Sequence, residues 1–301
     1  MTNEKMIKMF LIYQESRNLS QQTIEWYKSI TAKFLDYCNE NDIEIESMKT
    51  PEARQWVNWL QKDSDNNYKG NSINCHIRAI KTMFNYFMED EYLEKNPFAK
   101  VKQIKVDKVI IDTFEPEEIK KMLNHLKKNT FYDLRDNLMI RILYDCGLRV
   151  SELINLKIID IDIEKNIIKV FGKGHKERYV PFGRSVKREL VKYLSKRNKT
   201  VPEDLDEGYL LCTNQGTALN RRNVLRKIRI VGHKAGIEGK RLSPHTFRHS
   251  FAKQYLMSGG DLFSLQSIMG HNNLSTTRRY IHLLTEDIQK KHRQFSPLDN
   301  L

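Results

Sequence analysis

The stretch STTRRYIHL, residues 275–283, carries a tyrosine directly behind two arginines near the end of a basic chain. A phenol hydroxyl can attack a phosphodiester. Because it is a better leaving group than an alcohol, the link it forms can be reversed and stores the energy of the broken bond. Such chemistry needs partners. Cationic donors must hold the non-bridging oxygens while charge builds at a five-coordinate phosphorus. Arginine suits that task because its planar fork binds two phosphate oxygens at once. An acid must protonate the leaving sugar oxygen, and lysine is a compact proton donor. The chain offers Arg149 in CGLRVSEL, Lys173 in FGKGHKER, His245 and Arg248 in LSPHTFRHSFA, and His271 in IMGHNN, ahead of Tyr280.

Taken singly, each piece has a plainer reading. Arg149 and Glu152 read as a surface ion pair on a helix. Lys173 reads as a charged hairpin turn, His271 as the residue after a helix C-cap, and Tyr280 as an aromatic packed on a core. His245 and Arg248 lie three apart, so they share a face of a helix that begins near Pro244. The free N–H groups of a helix start also favour phosphate. Together and in order, GLRVSEL, GKGHKER, HTFRHSFA and MGHNNLSTTRRY resemble the tyrosine recombinase (phage integrase) family. The resemblance covers nearly the whole chain, and the layout is most similar to Xer recombinases and the simple integrases of mobile elements.

The resemblance implies a site-specific recombinase, serving integration, excision or dimer resolution. Tyr280 would attack the scissile phosphate, form a 3′-phosphotyrosyl link and release a 5′-hydroxyl. Arg149 and Arg248 would clamp the phosphate, Lys173 would be the general acid, His245 would accept the tyrosine proton, and His271 would hydrogen-bond a phosphate oxygen. The implied partner is a double-stranded DNA recombination site. Recombination would run through a Holliday junction in a tetramer on synapsed DNA, formed with the same protein or a paralogue. No cofactor or metal is implied, and the sequence agrees: it has no P-loop and no metal-ligand spacing. Lys173 is preferred to Lys176 and His175 because it holds the GKG position. His249 lies one step round the helix from Arg248 and is read as structural; His282, Arg278 and Arg279 are placed away from the reacting centre. Two rival readings are a type IB topoisomerase, disfavoured by the short Xer-like layout, and a non-catalytic DNA-binding regulator, disfavoured by the filled constellation.

The elements that must position these residues are legible in outline. The 301 residues are enough for two domains. Residues 1–107 hold 15 basic and 16 acidic residues, whereas 108–301 hold 36 and 22, so the whole surplus of the +13 chain lies in its C-terminal two thirds. Such a surplus attracts polyanions. No apolar run is long enough for a membrane span, and no secretory signal or additional N-terminal arm-binding domain is expected. Cys38, Cys75, Cys146 and Cys212 form no CxxC pair, which fits reduced thiols in a cytoplasmic protein.

Apolar spacing predicts helices throughout residues 1–98: one capped by Ser20 and bearing Ile24, Tyr27, Ile30 and Phe34, one starting at Thr50–Pro51, and one opened by Ser72. Residues 99–113 read as an extended linker. From 114 a second domain follows, with helices at 185–197, 219–236, 245–258, 261–269, 274–283 and 285–294. A three-stranded antiparallel sheet is expected over 158–182 and a short strand at 208–213. The expected fold is mainly α with a small antiparallel sheet; the resemblance makes it a helical core-binding (SAM-like) domain at 1–98 and a mixed α/β catalytic domain at 114–301. The tail after Tyr280 is expected to dock on a neighbouring protomer. DNA contacts are expected from Ser20, Gln21, Thr23, Ser72, Asn74, Arg78 and Lys81, and from Arg221, Arg222 and Arg226, the last two sharing a helix face with Arg229.

Overall fold

A computed structural model of the protein describes residues 1–63, 68–106, 112–126, 129–172, 177–270, 280 and 296. The described chain is mostly helical, with one three-stranded antiparallel sheet. It divides into two compact units, Met1–Val109 and Ile110–Leu301.

The first unit is built from α1 (Asn3–Ser16), α2 (Gln21–Glu40), α3 (Thr50–Lys62) and α4 (Gly70–Glu89). Ser20 caps α2 by accepting a hydrogen bond from the Thr23 amide, as its position predicts. α4 starts at Gly70, two residues before the expected Ser72, and its stripe Ile73, Ile77, Ile80, Phe84 and Phe87 is buried throughout. The centre of the unit is aromatic. Phe34 meets Trp56 edge-on at 5.1 Å between ring centroids, and Phe98 stacks on Phe84 at 5.4 Å. Residues 101–106 lie in neither a helix nor a strand, and they are tied to the first unit. The Asn74 amide donates to the Ile104 carbonyl and accepts from the Ile104 amide, at 2.9 and 2.7 Å. A side-chain amide can satisfy both backbone groups of one residue, and here that ties the segment to α4.

In the second unit α5 (Pro116–Asn124) leads to α6 (Phe131–Cys146), the central helix. α6 shows little amphipathic bias because it is buried nearly all round; Leu138, Met139, Ile140, Ile142, Leu143 and Cys146 are all enclosed. Gly147 ends it in the left-handed conformation, φ +59°. After the short α7 (Val150–Ile154) come β1 (Ile161–Asp162), β2 (Ile167–Phe171) and β3 (Glu177–Pro181), in the order β1-β2-β3. The register pairs Ile168 with Val180 and Val170 with Arg178. These positions face inward, since Ile168, Val170 and Val180 are buried. Helices α8 (Arg184–Asn198), α9 (Arg221–Lys234), α10 (Pro244–Met257) and α11 (Leu262–Met269) follow, each within two residues of its expected start. The expected strand at 208–213 is instead two isolated bridges, Lys157 with Tyr209 and Cys212 with Ala218. The expected helices at 274–283 and 285–294, and the tail, lie outside the described residues apart from Tyr280 and Ser296. Among the described residues no helix is long and apolar enough to cross a membrane.

Gly147 is required twice over. Its φ is left-handed, and a Cβ there would sit 2.3 Å from a ring carbon of Phe251 on α10. Gly147→Ala is expected to lower stability by about 2 kcal/mol or more, combining backbone strain with overpacking. A urea unfolding midpoint equal to that of the wild type would contradict this.

Candidate active site

The site belongs to the second unit and is organised around the last turn of α11. The final carbonyls of a helix have no partner within it. Here three consecutive ones are taken by three arginines from three different elements. Arg178 Nε on β3 donates to Ile268 O at 2.7 Å. Arg248 Nη2 on α10 donates to Met269 O at 2.6 Å. Arg149 Nη2, at the N-cap of α7, donates to Gly270 O at 2.9 Å. The negative end of the helix dipole adds to each contact. Gly270 itself has φ +62°, and a Cβ on it would lie 3.0 Å from Arg178 Nη1. Arg248 has a second anchor, Gly147 O at 2.6 Å, so one guanidinium joins the ends of α6 and α11.

Glu152 balances this cluster. It is buried, and Arg178 grips it with two parallel hydrogen bonds of 2.8 Å. Arg149 adds two more, from its amide to Oε2 and from Nη1 to Oε1, both 2.8 Å. Burial pushes the Glu152 carboxyl up. The hydrogen bonds and charge of Arg178 and the two contacts of Arg149 outweigh it, and the net shift is downward. Arg248 is pushed down to about 10, first by burial and then by repulsion from Arg149, with Glu152 and Tyr280 opposing. It remains a cation at neutral pH. The expected Arg149–Glu152 surface pair is therefore only half on the surface: the Arg149 side chain is 35% exposed and that of Glu152 is 3%.

His245 is exposed on the first turn of α10, where the Ser243 side chain accepts from the Thr246 amide. Its pKa is lowered by burial of the ring and by the charges of Arg241, Arg248 and Arg149, so the imidazole is neutral at pH 7. Tyr280 is 2% exposed and packs with Phe251, Ala252, Leu256, Leu265 and Met269, between α10 and α11. Its hydroxyl lies 2.7 Å from His249 Nδ1. The structure thus brings together Arg149, Arg248, His245 and Tyr280. Lys173 and His271 lie outside the described residues.

Two members of the site were not read from the sequence as such. Arg178 sits in ERYVP at an inward strand position opposite Val170; a charge on the buried face of a strand signals a partner, and Glu152 is that partner. His249 was compared only with Arg248. It is four residues after His245, and His245, His249, Ala252 and Leu256 form one helical stripe.

The chain matches the phage integrase family over residues 112–287 and the phage integrase SAM-like domain over residues 6–105. The chain belongs to the phage integrase family. It is 32% identical to tyrosine recombinase XerC of Staphylococcus aureus over 282 residues, 93% of this chain and 92% of that protein. As a tyrosine recombinase it is an enzyme of site-specific DNA cleavage and rejoining. Its fold is similar to that of the XerA recombinase, with a TM-score of 0.55 and 27% identity over 97% of this chain and 99% of the other. It also resembles the XerH site-specific recombinase bound to a palindromic difH substrate, at a TM-score of 0.74 and 22% identity, covering 99% and 85% of the two chains. The SAM-like unit and the catalytic unit of the recombinase correspond to the two described units. Among the described residues no cluster of metal-ligating side chains occurs.

The positions expected to meet DNA are mixed. Arg221, Arg222 and Arg226 are exposed on α9, as is Arg229. Ser20, Gln21, Ser72 and Arg78 are exposed on the SAM-like unit, while Thr23 and Lys81 are half-buried. Lys81 reaches back to Ala99 O at 3.1 Å. Asn74 is buried, and its amide donates to and accepts from the backbone of Ile104.

Glu152 stabilises the recombinase as an anion. Since its folded pKa lies below the ordinary value of about 4.3, its contribution is full above that pH and fades as acidity carries it through the lower folded value. Glu152→Gln is expected to cost about 3 kcal/mol at pH 7, because Arg178 loses its buried partner. The gap to wild type should narrow below about pH 4. Denaturant titrations at pH 7 and at pH 3.5 check both statements.

Proposed function

We propose that Arg149, Lys173, His245, Arg248, His271 and Tyr280 form the reaction centre, with Tyr280 as the nucleophile. The observation that supports this best is the convergence of Arg149, Arg248 and Tyr280 on the last turn of α11, next to the exposed imidazole of His245. Three guanidiniums around one carboxylate leave a net positive centre, which a phosphodiester would neutralise. Arg149, half open to solvent, and Arg248 would hold the two non-bridging oxygens. His245 and His271 would add hydrogen bonds to them.

In the cleavage step the Tyr280 oxygen forms a bond to phosphorus as the bond from phosphorus to the 5′-oxygen breaks. The phenol proton passes to an imidazole, and Lys173 gives a proton to the departing oxygen. The product is a 3′-phosphotyrosyl link and a free 5′-hydroxyl, and strand joining is the same step reversed with another 5′-hydroxyl. Working in a tetramer on synapsed DNA, with itself or a paralogue, two rounds of this exchange would make and resolve a Holliday junction. The 93% span shared with a curated XerC supports an Xer-like task.

A nicked suicide substrate tests the assignment. Wild type should accumulate a covalent protein–DNA adduct and Tyr280→Phe none; an adduct with both would remove Tyr280 as nucleophile. Lys173→Ala should be slowed about 100-fold or more on ordinary DNA, within the usual worth of a general acid. It should recover when the scissile 5′-oxygen is replaced by sulfur, since a thiolate leaves without a proton. Equal slowing on both substrates would assign Lys173 another role.

We also propose that α9 lies along the DNA backbone through Arg222, Arg226 and Arg229. Each phosphate contact releases counterions, so Arg226→Ala should reduce the slope of log affinity against log salt by about 1. An unchanged slope would place this face in solvent.

A further inference from the structure

The contact between His249 and Tyr280 has no place among the six expected residues. Nδ1 of His249 lies 2.7 Å from the Tyr280 hydroxyl, with the ring centroids 5.7 Å apart and the planes tilted by 53°. The arrangement follows from α10. His245 occupies its first, exposed turn. His249 stands one turn further along the same stripe, followed by Ala252 and Leu256, which belong to the same buried cluster as Tyr280. The stripe therefore divides into an outer imidazole open to an incoming phosphate and an inner imidazole on the phenol. Of these two imidazoles, it is the inner one whose ring nitrogen lies within hydrogen-bond reach of the Tyr280 hydroxyl.

We propose that His249, rather than His245, accepts the proton of Tyr280 during strand cleavage and returns it during rejoining. His245 is then left to bind the phosphate. With Nε2 carrying the ring hydrogen, Nδ1 presents a lone pair to the phenol, and the Tyr280 hydroxyl donates. As the tyrosine oxygen bonds to phosphorus, its proton moves to Nδ1 and the ring becomes an imidazolium. The electron pair of the breaking bond leaves on the 5′-oxygen, which Lys173 protonates. On rejoining, the imidazolium hands its proton to the departing phenolate. This assignment rests on Tyr280 being the nucleophile.

Chemical rescue distinguishes a proton acceptor from a packing residue. On the suicide substrate at saturating DNA, His249→Ala should form adduct about 100-fold more slowly than wild type, with DNA affinity unchanged. Added imidazole should restore at least tenfold of that loss, whereas thiazole, of the same shape but far weaker as a base, should not. His249→Gln fills the site without a basic nitrogen and should be as slow as His249→Ala. Wild-type rates in either variant, or equal rescue by thiazole, would overturn the proposal while leaving Tyr280 in place if Tyr280→Phe still forms no adduct. An adduct with Tyr280→Phe would overturn both. Should His249→Ala not fold, the His249→Gln rate decides alone.

Discussion

The last turn of α11 lacks hydrogen-bond donors, and the active site is built on that lack. Ile268, Met269 and Gly270 each expose a carbonyl, and Arg178, Arg248 and Arg149 each supply one N–H group. The arginines come from a strand, a long helix and a short helix that are far apart in the chain. Their convergence fixes where β3, α10 and α7 stand relative to α11. It also orients the guanidiniums, because an arginine bonded to a carbonyl at one nitrogen has few ways left to point the others. Orientation before substrate arrives is what makes an electrostatic clamp effective, since no reorganisation is then needed as charge develops. The chain leaves this turn at Gly270 and continues into His271, so the same three contacts set the starting point of the segment that carries His271 and Tyr280.

Packing three cations together costs free energy, and the structure shows where that cost is offset. Glu152 accepts four hydrogen bonds from two of them while almost fully removed from solvent. For the third, Arg248, burial together with the charge of Arg149 lowers the pKa to about 10. That residual strain is useful. An anion brought between Arg149 and Arg248 relieves a repulsion already present, so part of the binding free energy of a phosphate comes from the resting state of the protein.

How much of this was legible in the sequence depended on the distance over which the signal acts. Short-range signals read correctly: Ser20 caps α2, and the alternation over 158–182 is a three-stranded sheet. Arg149, His245, Arg248 and Tyr280 could be singled out because each sits in a distinctive local string. What could not be read were partners supplied by another element. Nothing near Asn74 says that its amide binds Ile104, thirty positions on. Arg178 looked like one more basic residue until its inward register against Val170 was known. His249 was measured against its neighbour Arg248 when the informative comparison was one helical turn back, to His245. In each case the missing information was a tertiary contact, which periodicity does not encode.

The arrangement also bears on how a weak base can serve a weak acid. An ordinary phenol and an ordinary imidazole differ by about 3.5 pKa units, so moving the proton from one to the other costs roughly 5 kcal/mol in water. A stronger base at His249 would not solve the problem, because the proton must return when the strand is rejoined. Lowering the cost from the phenol side does solve it. Tyr280 lies close enough to Arg248 for its charge to raise the arginine's pKa, and that attraction is mutual: the same cation favours the phenolate. On the proposed mechanism the guanidiniums that would hold the phosphate would also favour a negative charge on the Tyr280 oxygen, and the histidine would need only to hold the proton between the two halves of a reversible reaction.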